Sequence, residues 1–187
     1  MLTAWGDESQ SNRVLDPGTY ILAAVVTLDE DLDAMRQAMM ALRLAGSAKV
    51  HWRTDSDTRH RKIVADICQL PVAGVVVIRQ VSGEDSKRSR RKCLEVLLAE
   101  LQEFGCRSLT LESRGRADDR RDVETTRHLQ RRRQRGSDVR LFHEVGPKEP
   151  LVWIADALCG AVVQDRCGSP ANLAQLAQHL DIRVVDA

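Results

Sequence analysis

Four acidic residues in this chain stand where charge is costly, and that is where a reading of its chemistry begins. Asp7 and Glu8 directly follow the short segment from Leu2 to Gly6 and precede Ser9. Glu112 closes Ser108-Leu109-Thr110-Leu111, which reads as a strand. Asp156 is the single charge in the 13-residue stretch from Leu151 to Val163. A charge taken out of water without a partner costs several kcal/mol, so an Asp in a nearly all-apolar helix needs a cation, a backbone donor or a metal. Each residue also has a plainer reading: Asp7-Glu8-Ser9 as a solvated turn, Glu112 as the start of a loop, Asp156 in a buried salt bridge to an arginine.

Carboxylates from separate elements can converge on one or two Mg²⁺ or Mn²⁺ ions, hard cations that prefer oxygen ligands. Two such metals, ~4 Å apart, bind both the attacking and the leaving oxygen of a phosphodiester displacement. That chemistry needs no nucleophilic side chain, and none is evident. Ser9 has no base near it in sequence, and the chain contains no Gly-x-Ser-x-Gly, P-loop or dinucleotide-binding glycine pattern.

Basic runs supply the second signal. Between Arg114 and Arg135 lie nine arginines against Asp118, Asp119, Asp122 and Glu124, and Lys87 to Lys92 adds five cations in six residues. Such runs attract phosphate backbones through counterion release, or they are solvated helix faces laced with i,i+4 pairs. Arg114, Arg131, Arg132 and Arg133 are the candidate substrate-binding residues of the first run. His51 and Arg53, in the polar-aromatic island Val50-His51-Trp52-Arg53, are further candidates, and His143-Glu144 follows a strand whose end could face a site.

The elements that must position these residues follow from pattern. Tyr20 to Thr27 is nearly continuous apolar, as in a strand buried on both faces, and Asp16-Pro17-Gly18 turns the chain before it. Asp29 is expected to cap a helix carrying Leu32, Met35, Met39 and Leu42, stopped by Gly46. A second helix runs from about 56 to 70, a strand from 73 to 81, and a long helix from 86 to 104 with Gly105 just beyond its end. A strand then leads into Glu112, an Arg-rich helix spans about 118 to 134, and the last strand is expected at 139 to 142. Helices from 150 to 163 and from Ser169-Pro170 to Leu180 close the chain. The interleaving implies one α/β domain over residues 1–187, with a mixed sheet and helices on both faces.

The remaining composition is ordinary. The hydrophobic share is 43%, the charged share 29%, and the formal net charge +1, so only local charge speaks of partners. Aromatics make up 3%, which leaves a core of Leu, Val, Ile and Ala and argues against binding by base stacking. The five cysteines lack Cys-x-x-Cys spacing and read as reduced thiols, not as a zinc site. The start of the chain has no basic leader and no apolar run approaches the ~20 residues that span a bilayer, so the expectation is a cytoplasmic protein without a membrane partner.

Taken together, Asp7-Glu8-Ser9, the apolar strand from Tyr20 to Val26, and Leu151 to Gly160 resemble a bacterial domain-of-unknown-function family. Its members open on a strand leading into Asp-Glu-Ser-Gly and close on a helix bearing Leu-Gln-Xaa-Ala-Asp-Xaa-Xaa-Xaa-Gly. Ala155, Asp156 and Gly160 stand in place here, whereas Gln10 replaces the Gly and Trp153 stands near the Gln. The family is assigned to the ribonuclease-H-like superfamily. The resemblance implies that fold, with extra helices inserted after the second strand, and a carboxylate metal site in which Glu112 takes the middle position, usually Asp. It also implies that His51 reaches the site.

The expectation is therefore a metal-dependent nuclease or related phosphoryl-transfer enzyme. Asp7, Glu112 and Asp156 hold Mg²⁺ or Mn²⁺, Glu8 assists, and the arginine helix holds DNA or RNA. The competing expectation is a non-catalytic nucleic-acid or protein-interaction module on the same fold.

Overall fold

The computed structural model describes residues 1–83, 85–132, 134–136 and 138–185. Its centre is a hairpin of β1 (Leu2–Gln10) and β2 (Thr19–Leu28), antiparallel over the full length of β1. β3 (Ala73–Gln80) pairs antiparallel with β2. On the other side of β1, β4 (Ser108–Glu112) and then β5 (Arg140–Glu144) add in parallel. β6 (Leu180–Val185) pairs parallel with β3, giving the order β5-β4-β1-β2-β3-β6.

Among the described residues, six helices cover the sheet: α1 (Leu32–Ala41), α2 (Asp57–Ile67), α3 (Ser86–Glu103), α4 (Arg116–Arg131), α5 (Pro150–Arg166) and α6 (Ala171–Leu176). The alternation of β2 explains why its sequence is apolar throughout. Ile21, Ala23 and Val25 pack with Met35, Met39, Ile63, Ile67 and the apolar residues of α5 on one face. Tyr20, Leu22, Ala24 and Val26 pack with Leu94, Leu97, Leu98 and Leu101 of α3 on the other. A strand buried on both faces cannot show a polar-apolar period. Helix α5 lies across β1 and β2 and buries every residue from Pro150 to Val162 except Asp156, which is half-buried. Each fully buried Leu, Val or Ile there contributes roughly 1.5–3 kcal/mol.

Both α1 and α2 lie between β2 and β3, as the resemblance implies. Three expectations need correction. β1 does not stop before Asp7: its pairing with β2 carries it through Asp7, Glu8 and Ser9 to Gln10, so these residues are strand rather than turn. Asp29 does not cap α1. It opens a short 3-10 turn, and its carboxylate accepts from Thr3 Oγ1 at 3.2 Å and faces the N-terminal amine at 3.5 Å. The last helix stops at Leu176, without a Ser169 side-chain cap, and Leu180 to Val185 is an edge strand on β3. The strand at 140–144 is therefore not the last.

No helix among the described residues is long and apolar enough to cross a membrane. All five cysteines are unpaired with one another.

Candidate functional site

Strand alternation decides which carboxylates can meet. Asp7 pairs with Ala23, whose side chain belongs to the α5 face, and Glu8 pairs with Leu22, whose side chain belongs to the α3 face. In β4, Leu109 and Leu111 point to the α3 face, so Glu112 points to the α5 face. Gly6 is in register with Leu111, which makes Asp7 and Glu112 the next neighbours along two parallel strands. Asp156 arrives from above: one turn along α5, the Cys159 thiol donates to the Asp7 carbonyl at 3.4 Å and ties that part of the helix to β1. Asp7, Glu112 and Asp156 thus line one cleft of about 840 Å³.

The electrostatics record that convergence. Burial raises the Asp7 pKa from 3.8 to about 8, and the charges of Glu112, Asp156 and Glu8 push in the same direction. Burial also raises Asp156, opposed by a backbone hydrogen bond from Trp52.

The cations around the acids come mainly from the segment between α1 and α2. Lys49 Nζ donates to both oxygens of Glu112, at 2.7 and 2.9 Å. The Trp52 amide donates to Asp156 Oδ2 at 3.0 Å, and His51 Nδ1 lies 3.7 Å from the same oxygen, buried and without a hydrogen-bond partner. Among the described residues no arginine pairs with Asp156, so the salt-bridge alternative is set aside: its partners are a backbone amide and His51. Arg13, Arg53 and Arg114 line the cleft as well.

Glycine makes the docking of this segment feasible. A Cβ at Gly160 would collide with the Trp52 ring. The ring therefore lies flat against α5 one turn beyond Asp156, and its amide is delivered to the carboxylate. His60 stacks on the other side of Trp52, with centroids 4.0 Å apart, and its Nε2 pairs with the Trp52 carbonyl at 2.8 Å. The Gly160 of the closing motif thus has a packing reason.

Glu8 also lines the cleft, but its side chain is turned to the opposite face of the sheet from the other three acids. On the α3 face it is held by Arg90 and by Arg114, whose Nε donates at 2.7 Å. Arg90 also donates to both oxygens of Asp122, at 2.9 and 2.7 Å, and to the Tyr20 hydroxyl at 3.2 Å. His143 Nε2 completes the chain on Asp122 at 3.0 Å. Burial alone would raise Asp122, but the bonds from His143 and Arg90 hold it below the usual carboxylate range. Glu8 is consequently an ion-pair anchor. His143 belongs to this network too, and Glu144 is exposed.

The arginine helix is also placed differently from expectation. Of the described residues of this run, Arg114, just before α4, lines the cleft, and none of α4 itself does. Arg131 lies fifteen residues beyond Arg116, ~22 Å along the axis, and Arg131 and Arg132 are exposed at the far end. Arg133 lies outside the described residues. The nearer basic surface is a groove of about 530 Å³ between α3 and α4, lined by Lys87, Arg88, Arg91, Arg114, Arg121 and His128 among others. Each of the four acids lining it faces a cation: Asp122 faces Arg90, Asp118 Arg121, Glu95 Lys92 and Glu124 Arg120. Arg114 lines both the groove and the cleft, which makes one basic path.

Among the described residues, no three His, Cys, Asp or Glu side chains stand close enough to hold a metal ion as they are. The donor set nonetheless fits a hard divalent cation: Asp7, Glu112 and Asp156 share the cleft, Asp7 is driven toward its protonated form, and the buried His51 Nδ1, 3.7 Å from Asp156, has no hydrogen-bond partner among the described residues. Within this set Glu112 is turned to Lys49 and Asp156 to the Trp52 amide.

No protein-family model and no curated protein matches the sequence. Solved structures do match. A chain of the PCNA:RNase HII complex from Archaeoglobus fulgidus aligns at 18% identity and a TM-score of 0.51, covering 95% of this chain and 77% of that one. Ribonuclease H2 from Pyrococcus horikoshii OT3 aligns at 12% identity and a TM-score of 0.54, covering 95% and 76%. Identities this low speak for the fold alone, and not for individual residues or for the narrower motif family. A central antiparallel β1-β2-β3 unit, two parallel strands added beside β1, helices on both faces and these neighbours together give the chain a ribonuclease-H-like fold.

Proposed function

We propose that this protein is a divalent-metal-dependent nuclease, or a related phosphoryl-transfer enzyme, acting on nucleic acid. The observation that carries the reading is the convergence of Asp7, Glu112 and Asp156 in one cleft, with the Asp7 pKa raised to about 8. Asp7 and Asp156 would hold the ion, with Glu112 at the same centre. A bound Mg²⁺ or Mn²⁺ would supply an activated water and would neutralise charge on the phosphoryl oxygens.

The chain's own residues have separable tasks. Asp7 keeps a proton at neutral pH until a cation replaces it, so binding is coupled to proton release. Arg13, Arg53 and Arg114 at the cleft can hold phosphates, and Lys87 and Arg91 extend that path outward. Contacts of this kind position a backbone without reading its sequence. The aromatic side chains at the cleft, Tyr20 and Trp52, are buried, so base stacking adds little. That the similar folds include ribonucleases supports the nuclease reading at the level of architecture.

The Lys49–Glu112 pair favours a second reading, a nucleic-acid-binding module whose site does no chemistry. Cleavage of labelled single- and double-stranded DNA and RNA in Mn²⁺ separates the two. Asp7→Ala and Asp156→Ala should each abolish cleavage while binding persists. Binding without cleavage by the wild type would leave the module reading; equal cleavage by all three proteins would place the activity elsewhere.

A further inference from the structure

Lys49 bears on how many ions the centre accepts, a question that rests on the metal-dependent reading above. Its ammonium occupies both oxygens of Glu112, and both side chains of the pair are only 18% exposed, so water does little to weaken it. The backbone presenting Lys49 is anchored by its buried neighbours Val50 and Trp52. Glu112 is hemmed in from behind: a Cβ at Gly146 would overlap its carboxyl group, so the turn at Gly146–Lys148 closes off that side. The charge of Lys49 reaches Asp156 as well, where it favours the ionised form.

We propose that Lys49 takes the place of a second divalent cation, so that the centre binds one Mg²⁺ or Mn²⁺ between Asp7 and Asp156 while the ammonium stays on Glu112. Charge supports this division. Three ionised carboxylates are neutralised by one divalent ion together with one ammonium. Two divalent ions beside Lys49 would leave this set of three carboxylates and one ammonium doubly positive before any substrate arrived. With the fixed ammonium on Glu112, the carboxylate centre has one exchangeable cation and one permanent one, and the permanent one lies beside the path of the phosphates.

The test is a count of bound ions, independent of activity. Chelator-stripped protein is titrated with MnCl₂ by calorimetry, with electron paramagnetic resonance of bound Mn²⁺ as a second count. Buffer pH is set above the raised Asp7 value. The wild type should bind one ion per chain, Lys49→Met should bind two, and Lys49→Arg, which restores the cation, should return to one. Thermal unfolding checks that each variant folds; should Lys49→Met fail that check, Lys49→Gln, which also removes the charge, is counted in its place and should bind two. Two ions in the wild type, or one ion in folded Lys49→Met, overturns the assignment of Lys49 and leaves the metal centre standing. No Mn²⁺ bound by the wild type defeats the metal centre itself and this inference with it.

Discussion

Replacing Asp7 by Asn should make the metal-free protein more stable, by an amount that grows with pH. Asp7 titrates at about 8 in the folded chain against a usual value of 3.8, because burial and the charges of Glu112, Asp156 and Glu8 all oppose its ionisation. Below the lower value both folded and unfolded chains are protonated, and the contribution to stability is complete. As pH rises the unfolded chain loses its proton first, and stability falls by ~1.4 kcal/mol per pH unit. The fall ends near pH 8, where the folded chain ionises as well. Between about pH 5 and about pH 7.5 this one group should therefore cost about 3 kcal/mol. Asn has no such titration, and its oxygen can still accept the Glu8 amide, 2.8 Å from Asp7 Oδ1. Urea unfolding of wild type and Asp7→Asn, followed by tryptophan fluorescence in EDTA across that range, measures the difference. A stability gap between the two proteins that stays constant with pH would refute the argument.

Asp122→Ala strips Arg90 of its bidentate partner and leaves a buried guanidinium with Glu8 and the Tyr20 hydroxyl, so urea unfolding should show a loss of about 3 kcal/mol; a loss below about 1 kcal/mol would mean that the network is not held as described. Gly160→Ala should destabilise even though Ala favours a helix by ~1 kcal/mol, because the overlap with Trp52 costs about 1–3 kcal/mol and must displace the ring; an unshifted melting midpoint and unchanged fluorescence would contradict this. Lys87→Glu with Arg91→Glu should weaken nucleic-acid binding and flatten its salt dependence more than Arg131→Glu with Arg132→Glu, read by fluorescence anisotropy over a salt series. An equal effect of the two pairs would remove the groove from the binding path.

The legible parts of this fold were those where burial leaves its mark on composition. β2 announced itself by a run with no polar break, and Asp156 by being the one charge in a helix that buries nearly everything else. The position of Glu8 was also recoverable: neighbours in a strand face opposite sides, so Asp7 and Glu8 could not both serve one cradle once the strand was extended through them. The Arg90–Asp122 pair was hidden for the opposite reason. Each sits in a run of charges that reads as a solvated face, and only the packing of α3 against α4 removes those two from water. Lys49 carried no local signal, since its partner Glu112 is 63 residues away in sequence. β6 is an edge strand whose residues are mostly exposed or half-buried, so little apolar pattern distinguishes it from the end of a helix.

The seat that Gly160 makes for Trp52 has a consequence for how such a centre can change. The three acids belong to two sheet strands and a core helix, where almost any replacement disturbs packing. Lys49, His51 and Arg53 ride on an inserted segment that touches the core mainly through Val50 and Trp52. Charge in the cleft can therefore be rewritten by altering a few residues of the insertion, with the ring on its glycine seat acting as a fixed plug for interchangeable cargo. Chains built on this plan could diverge in metal demand or substrate while their carboxylates stay where they are.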